Sequence, residues 1–344
     1  MSTSLKLSQT NISTSLLLIF NNMNSSMSND LRRRALQEYW ELLNNRVKTQ
    51  GLSHSVSFLK ELHLCSVKLS LGISYTPPLH TKLDKSGFPV VLRKVKPFLT
   101  GNVHEKKFGL SITKLYLSLK LPCDRSTKSI TTPSKATGGL GKRWKEFLKT
   151  FVKVLPSPRQ LTWNKVWHQS NKKGPNGPAL VTSMLDLITV RQDQELWENL
   201  TEYLSLTAPD LLGELNYILE QTPNWQDIPK LNHSKLAFLQ EGGGKTRVIA
   251  IGDFVTQEAL GPLFRETMGF LRSLPQDSTF DQANGVVRLK KAMENRKPIH
   301  CFDLTSATDR FPVQYQADLL GTIYTEAIGK SWRKLLTQRD FSAG

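Results

Sequence analysis

Cysteine is scarce in this chain. Cys65, Cys123 and Cys301 are its three copies, far apart, and no Cys-x-x-Cys pair occurs. That excludes a zinc ribbon and a disulfide-stapled scaffold. Long apolar runs are missing too. The best candidate, Leu16 to Phe20, is far too short to cross a bilayer, so no stable membrane span is expected. Acidic residues are few: 29 Asp and Glu face 46 Lys and Arg, a formal net charge of +17. Composition is otherwise ordinary, with 39% hydrophobic residues, which excludes a fully disordered or collagen-like chain. At about 150 residues per domain, two or three domains fit.

The basic surplus is concentrated. Between residues 86 and 180 there are 19 Lys or Arg against only Glu105, Asp124 and Glu146. Such a block attracts a polyanion and releases condensed counterions from each phosphate it neutralises. A solvated lysine-rich surface is the plainer alternative. Trp144, Trp163 and Trp167 interleave with the charges and offer rings on which bases could stack, which favours nucleic acid. Lys142 and Arg143, and Lys172 and Lys173 farther on, are the candidate nucleic-acid contacts. Residues 1–29 are rich in Ser, Thr and Asn, lack acids and carry one base, Lys6. They read as a leader, either disordered or targeting, and match a mitochondrial presequence only in part.

Periodicity predicts mostly helix. Asp30 to Leu62 reads as one helix capped by Asp30, with Leu31, Ala35, Tyr39, Leu42 and Leu43 near one face. Pro77-Pro78 and residues 126–141 read as loops. Arg143 to Val154 predicts a basic amphipathic helix with Trp144, Phe147, Leu148 and Phe151 on its apolar side, which could also lie on a membrane surface. Residues 172–178, from Lys172 to Pro178, form a basic Gly/Pro/Asn turn. Met184 to Leu206 and Asp210 to Gln221 predict two further helices. The fold class expected from the pattern is α+β, with helices dominant.

Two stretches carry chemistry. Glu241-Gly242-Gly243-Gly244-Lys245-Thr246-Arg247 is not a P-loop, because Leu239 stands where a Walker A needs glycine. It reads as a flexible glycine turn feeding a strand, Thr246 to Ile251. Lys245 and Arg247 then leave one strand face together. They either grip a triphosphate or stay solvated. Asp253 can cap the helix that follows, whose stripe Val255, Ala259, Leu263, Phe264, Thr267 and Leu271 reads as core. The second stretch is Pro298 to Pro312. An apolar strand is expected to end in Asp303, with Asp309 six residues on and Pro312 opening a helix. A carboxylate at a strand end can hold Mg²⁺ for phosphoryl transfer. Equally, Asp303 can be a surface residue and Asp309 a cap.

Four blocks in order resemble the RNA-dependent RNA polymerases of mitoviruses. They are Gly174-Pro175-Asn176-Gly177; Gly244 to Asp253 with Thr256-Gln257; Asp277 to Gln282; and Phe302 to Pro312. The resemblance covers roughly residues 142–336. It implies a partial right-hand polymerase fold, with fingers and the start of a palm behind an N-terminal extension. The implied division is a leader over 1–29, a basic region over 30–141, fingers over 142–297 and an incomplete palm over 298–344. It implies that Lys245 and Arg247 contact the phosphates of the incoming nucleotide. Asp303 becomes the catalytic, metal-binding palm aspartate and Asp309 the carboxylate that senses the ribose 2′-hydroxyl. Mg²⁺ or Mn²⁺ is the implied cofactor, RNA template and NTPs the implied partners, and the mitochondrion the implied location.

The chain also departs from that family. It has no Gly-Asp-Asp and no Ser-Gly loop after Asp303. Two-metal catalysis draws ligands from both palm motifs. The expectation is a truncated polymerase, inactive alone. A host-captured viral gene is the favoured explanation, while one half of a two-chain enzyme completed by a second chain and a shortened sequence also fit. A non-catalytic RNA-binding protein that keeps the basic fingers is the alternative function.

Overall fold

The structure, a computed structural model, describes residues 18–23, 27–78, 80–133, 140–154, 160–167, 171, 174–303 and 307–343. It is helix-dominated with one small three-stranded sheet, the expected α+β class. No described helix is long and apolar enough to cross a membrane. Two compact units emerge, and neither is continuous in sequence. The first comprises Met1–Arg125 with Phe238–Arg247, the second Ser126–Ala237 with Val248–Gly344.

The first unit is built on α1 (Asn29–Gln50), α2 (Leu52–Ser70) and α3 (Val103–Thr113). The single helix expected over residues 30–62 is two helices, because Gly51 adopts φ +77°, a conformation that breaks α-helix and suits glycine alone. Its cap is Ser28, which accepts from the Leu31 N–H, rather than Asp30. Asn102 and Glu105 form a reciprocal capping box that starts α3. Ala35, Tyr39, Leu43, Leu59, Leu62, Phe88, Phe98 and Phe108 fill the core. Each buried Leu or Phe among them contributes about 1.5–3 kcal/mol by leaving water. Buried Tyr39 donates its hydroxyl to the Thr113 carbonyl, 3.1 Å away, tying α1 to the end of α3.

The second unit contains α4 (Leu140–Phe151), α5 (Ala179–Gln192), α6 (Gln194–Thr207) and α7 (Pro209–Glu220). Residues 184–206 are therefore not one helix. Asp193 leaves helical geometry and caps α6 by accepting from the Leu196 N–H. Strands β1 (Ser234–Gln240) and β2 (Thr246–Gly252) are neighbours joined by a connection too short for anything but antiparallel pairing. The tip of this hairpin belongs to the first unit and its base to the second. Then come α8 (Phe254–Ser273), α9 (Gln282–Glu294), α10 (Val313–Ile323), α11 (Glu326–Thr337) and β3 (Ser342–Ala343). β3 lies parallel to β1, with Lys235 opposite Ser342. Of the apolar stripe expected on α8, Val255, Ala259 and Leu263 are buried, whereas Phe264 is exposed.

A buried ion pair locks this unit. Arg339 Nη2 lies 2.6 Å from Asp253 Oδ2, and both side chains are almost without solvent exposure, at 2% and 0%. Three further donors of Arg339 are also used. Nε donates to Ser234 Oγ, Nη1 to Thr256 Oγ1 and Nη2 also to the His233 carbonyl. Asp253 in turn accepts from the N–H and hydroxyl of Thr256, capping α8 as the sequence predicts. Charge is tolerated here because the two ions face each other directly and four of the five guanidinium N–H donors have acceptors.

Burial holds the His233 imidazole below its ordinary pKa, and the Arg339 cation adds to this. The folded state thus favours neutral His233. Its contribution to stability is present above the ordinary imidazole range and lost as pH falls through the lowered value.

Two outcomes follow for denaturant unfolding. Arg339→Met leaves the Asp253 carboxylate buried without its partner and lowers stability by about 3–5 kcal/mol. Arg34→Ala, which removes the exposed pair with Asp30, changes it by less than about 1 kcal/mol. In melts between pH 8 and pH 5, the wild-type midpoint falls with pH, and His233→Gln makes that fall shallower.

Candidate functional site

The glycine turn is wedged into place. Gly243 and Gly244 have φ of +72° and +77°, which only glycine adopts without strain. A Cβ at position 242 would collide with the Leu117 carbonyl oxygen, and one at 244 with the Leu121 side chain. The turn packs this close to the 3₁₀ segment Lys114–Ser118 because it has no side chains. Close packing, more than flexibility, accounts for three successive glycines. The Glu241 N–H donates to the Lys245 carbonyl and closes the turn at 2.7 Å.

Beyond the turn the strand alternates as expected. Thr246 accepts from the Asp124 N–H, while Lys245 and Arg247 are exposed. Arg247 Nε donates to Glu241 Oε1, so one carboxylate orients the guanidinium. Lys245 makes no ion pair with a described residue. Two cations two residues apart, one of them oriented, have the charge and donors that phosphate oxygens require.

In the second unit the first two motif blocks meet around the N-terminus of α8. Gly174 N–H donates to the Gly177 carbonyl, which folds the first block into a tight turn. Asn176 Nδ2 donates to Asp186 Oδ1 at 2.8 Å and to the Asn232 carbonyl. Asp186 Oδ2 accepts from the Phe254 N–H at 3.0 Å, and Lys235 Nζ donates to the Pro175 carbonyl. Gln257 reaches back to the Gly252 carbonyl. Asp186 is fully buried, and desolvation raises its pKa despite the Phe254 and Asn176 bonds.

Sequence reasoning missed Asp186 and Arg339. The signal for Asp186 was a lone carboxylate inside the apolar run Met184 to Val190, since buried charges occur where partners wait. Arg339 had no local signal.

The palm block behaves differently. No strand forms over residues 298–303, and Asp303 is exposed on an irregular segment. The expected strand lacks a neighbour to pair with. Asp309 is exposed in the single helical turn Ala307–Arg310, so it does not cap α10, whose N-cap is Pro312. Among the described residues no three His, Cys, Asp or Glu side chains converge as a metal site. Asp303 alone does not make a metal centre. The Asp277 block is a helix start. Asp277 accepts from the Thr279 N–H and hydroxyl, and Asp281 caps α9 through the Asn284 N–H.

The tryptophans serve packing. Trp163, only 6% exposed, sits in the second unit's core edge-on to Trp167, which packs near Phe254. Trp163 is therefore not available to stack on bases, while Trp167 is half-buried. The α4 helix matches its expected pattern: Leu148 is buried, Trp144, Phe147 and Phe151 form a stacked ladder, and Trp144 also meets Tyr315 of α10. Lys142 and Arg143 are exposed on its outer side. Lys172 and Lys173 lie outside the described residues.

Gly242→Ala tests the wedge. The expected cost is about 1–3 kcal/mol, from forcing the Leu117 backbone aside. Lys245→Ala, at an exposed position, leaves the unfolding midpoint within about 0.5 kcal/mol of wild type.

Comparison with known proteins bears on all four blocks. The mitovirus RNA-dependent RNA polymerase family matches residues 159–344. The RNA-directed RNA polymerase of Cryphonectria parasitica mitovirus 1 is 38% identical over 317 residues, which cover 84% of this chain. The chain spans about 38% of that relative's length. No solved structure matches. With more than half of its residues inside the family match, this chain belongs to the mitovirus RNA-dependent RNA polymerase family.

Proposed function

We propose that these residues form the nucleotide-entry and template-binding part of an RNA-directed RNA polymerase. The observation that carries this reading is the pair Lys245 and Arg247, exposed together beyond a turn that three glycines seat against Leu117. Their charge suits a triphosphate, and a seated turn positions them at little entropic cost when the ligand arrives. Asp309 is assigned to the ribose 2′-hydroxyl. Lys142 and Arg143, with Lys172 and Lys173, are assigned to the RNA backbone. The extended, exposed α4 charge fits phosphate contacts that position the strand without reading its sequence.

Asp303 is assigned as one carboxylate of the Mg²⁺ or Mn²⁺ site. Such a site holds its ion through further carboxylates and substrate phosphates, and bound ions neutralise charge developing on the phosphoryl group. Those further carboxylates come from polypeptide that this chain does not contain, whether a continuation or a second chain. Without them the 344 residues bind RNA and do not polymerise it. The mitochondrion is the proposed location, on the strength of the family.

The exposed cations Lys142 and Arg143 on α4 also suit a second reading: a non-catalytic RNA-binding protein. The two readings part in one assay. The chain is mixed with the unmatched part of the Cryphonectria relative, template RNA, NTPs and Mg²⁺. Extension that appears only in the mixture, and is abolished by Asp303→Ala, supports the polymerase. RNA binding with no extension under any mixture supports the binder.

Direct binding supplies a further measurement. The logarithm of RNA affinity falls linearly with the logarithm of salt concentration. Lys142→Ala with Arg143→Ala reduces that slope by about two, roughly one for each phosphate no longer neutralised. An unchanged slope removes α4 from the interface.

A further inference from the structure

The stretch from Lys114 to Arg125 lies against the glycine turn and its strand, and both belong to the first unit. It carries three cations, Lys114, Lys120 and Arg125, against one acid, Asp124. It precedes residues 159–344, the part that matches the polymerase family, and none of the four motif blocks includes it. Pro122 disfavours helix at Leu121, the residue before it. Residues 119–127 accordingly run outside helix and strand.

A few contacts fix this stretch beside the hairpin. Leu121 occupies the space that a side chain at Gly244 would need. The Asp124 N–H donates to Thr246 Oγ1 at 3.2 Å, and the Cys123 thiol points its weak donor at the Phe238 carbonyl, 3.8 Å away. The Thr246 hydroxyl also lies 4.0 Å from Cys123 Sγ. Residue 121 thus abuts residue 244, and residue 124 abuts residue 246. In that register Lys120 adjoins Leu121 as Lys245 adjoins Gly244. Both lysines are exposed, and neither forms an ion pair with a described residue. Like charges held on adjacent segments repel, and an anion bound among them relieves that cost.

We infer that Lys120 joins Lys245 and Arg247 in holding the triphosphate of a nucleotide. The inference rests on the nucleotide-entry reading above and adds a residue that no motif marks. The lysine ammonium, on its flexible stem, meets phosphate oxygens as a point charge, while Arg247 offers its planar fork. Leu121 is the positioning residue. Packed against Gly244, it keeps the segments of Lys120 and Lys245 in register, so little freedom is lost when the ligand binds. An RNA strand spreads its charge along its length, one per nucleotide. A triphosphate gathers its charge at one place, as these cations are gathered.

The test uses the full 344-residue chain, with inorganic tripolyphosphate as probe and AMP as a probe that lacks the triphosphate. Affinity is read by titration. Cys123 supplies a local reporter, because its thiol is exposed beside Thr246, whereas Cys65 is buried and exposed Cys301 serves as the internal control. Alkylation of each thiol is followed by mass spectrometry. Tripolyphosphate is expected to bind more tightly than AMP and to slow alkylation of Cys123 but not of Cys301. Lys120→Gln weakens its binding about tenfold, the loss of one charge-assisted hydrogen bond. Lys120→Arg, which keeps the charge, retains most of the affinity. Lys48→Gln, at an exposed position near the end of α1, leaves it unchanged. A circular dichroism melt of each free variant should match wild type, and Lys120→Met replaces Lys120→Gln should the latter fail to fold.

If Lys245→Gln weakens binding and Lys120→Gln does not, the inference is overturned and the nucleotide-entry reading stands. If neither substitution weakens binding, or tripolyphosphate does not bind, both are overturned. Protection of Cys123 by single-stranded RNA, with none by tripolyphosphate, overturns the inference in favour of the RNA backbone.

Discussion

The Arg339–Asp253 pair organises the second unit. It is a charge-assisted contact of 2.6 Å removed from solvent, where an unmatched charge would be prohibitively unfavourable. That cost makes the arrangement selective. Arg339 has to find Asp253, Ser234, Thr256 and the His233 carbonyl together. In doing so it joins residues next to the starts of β1 and α8 to the segment that leads into β3. Asp186 completes the arrangement from α5 by accepting from Phe254 and Asn176. Two motif blocks that lie far apart in sequence thus converge on the N-terminus of one helix. At that junction Asn176 and Asp253 serve architecture, since their polar groups are spent on Asp186, Asn232, Thr256 and Arg339.

The residues proposed for chemistry take no part in that network and are exposed. Lys245 and Arg247 follow a turn whose glycines exist to let backbone approach backbone. Asp303 and Asp309 occupy segments without strand pairing. A buried network is rigid and already satisfied, whereas a substrate-binding group has to remain available. The division between satisfied blocks and available cations is the physical content of the proposed nucleotide-entry role.

The missing palm strand is the most instructive difference. Residues 298–303 carry the apolar pattern of a strand and form none, while α9 carries the pattern of a packed helix and buries nothing. Among the described residues neither pattern finds the neighbour it calls for.

Much of this was legible in the sequence. Helix periodicity located α4, α7 and α8, and alternation around Thr246 put Lys245 and Arg247 on one face. Asp253 was legible as a cap because capping is a local interaction, and the four motif blocks identified the family. Splits at Gly51 and Asp193 were harder, because a single residue's backbone angle decides them. Trp163 reads equally well as a base-stacking ring or as core until packing buries it. Only the tertiary structure paired Asp253 with Arg339, 86 residues later, and seated the glycine turn against Leu117. Periodicity reports which face of an element is apolar. It does not report what covers that face, because the partner lies at a distance that no local pattern encodes.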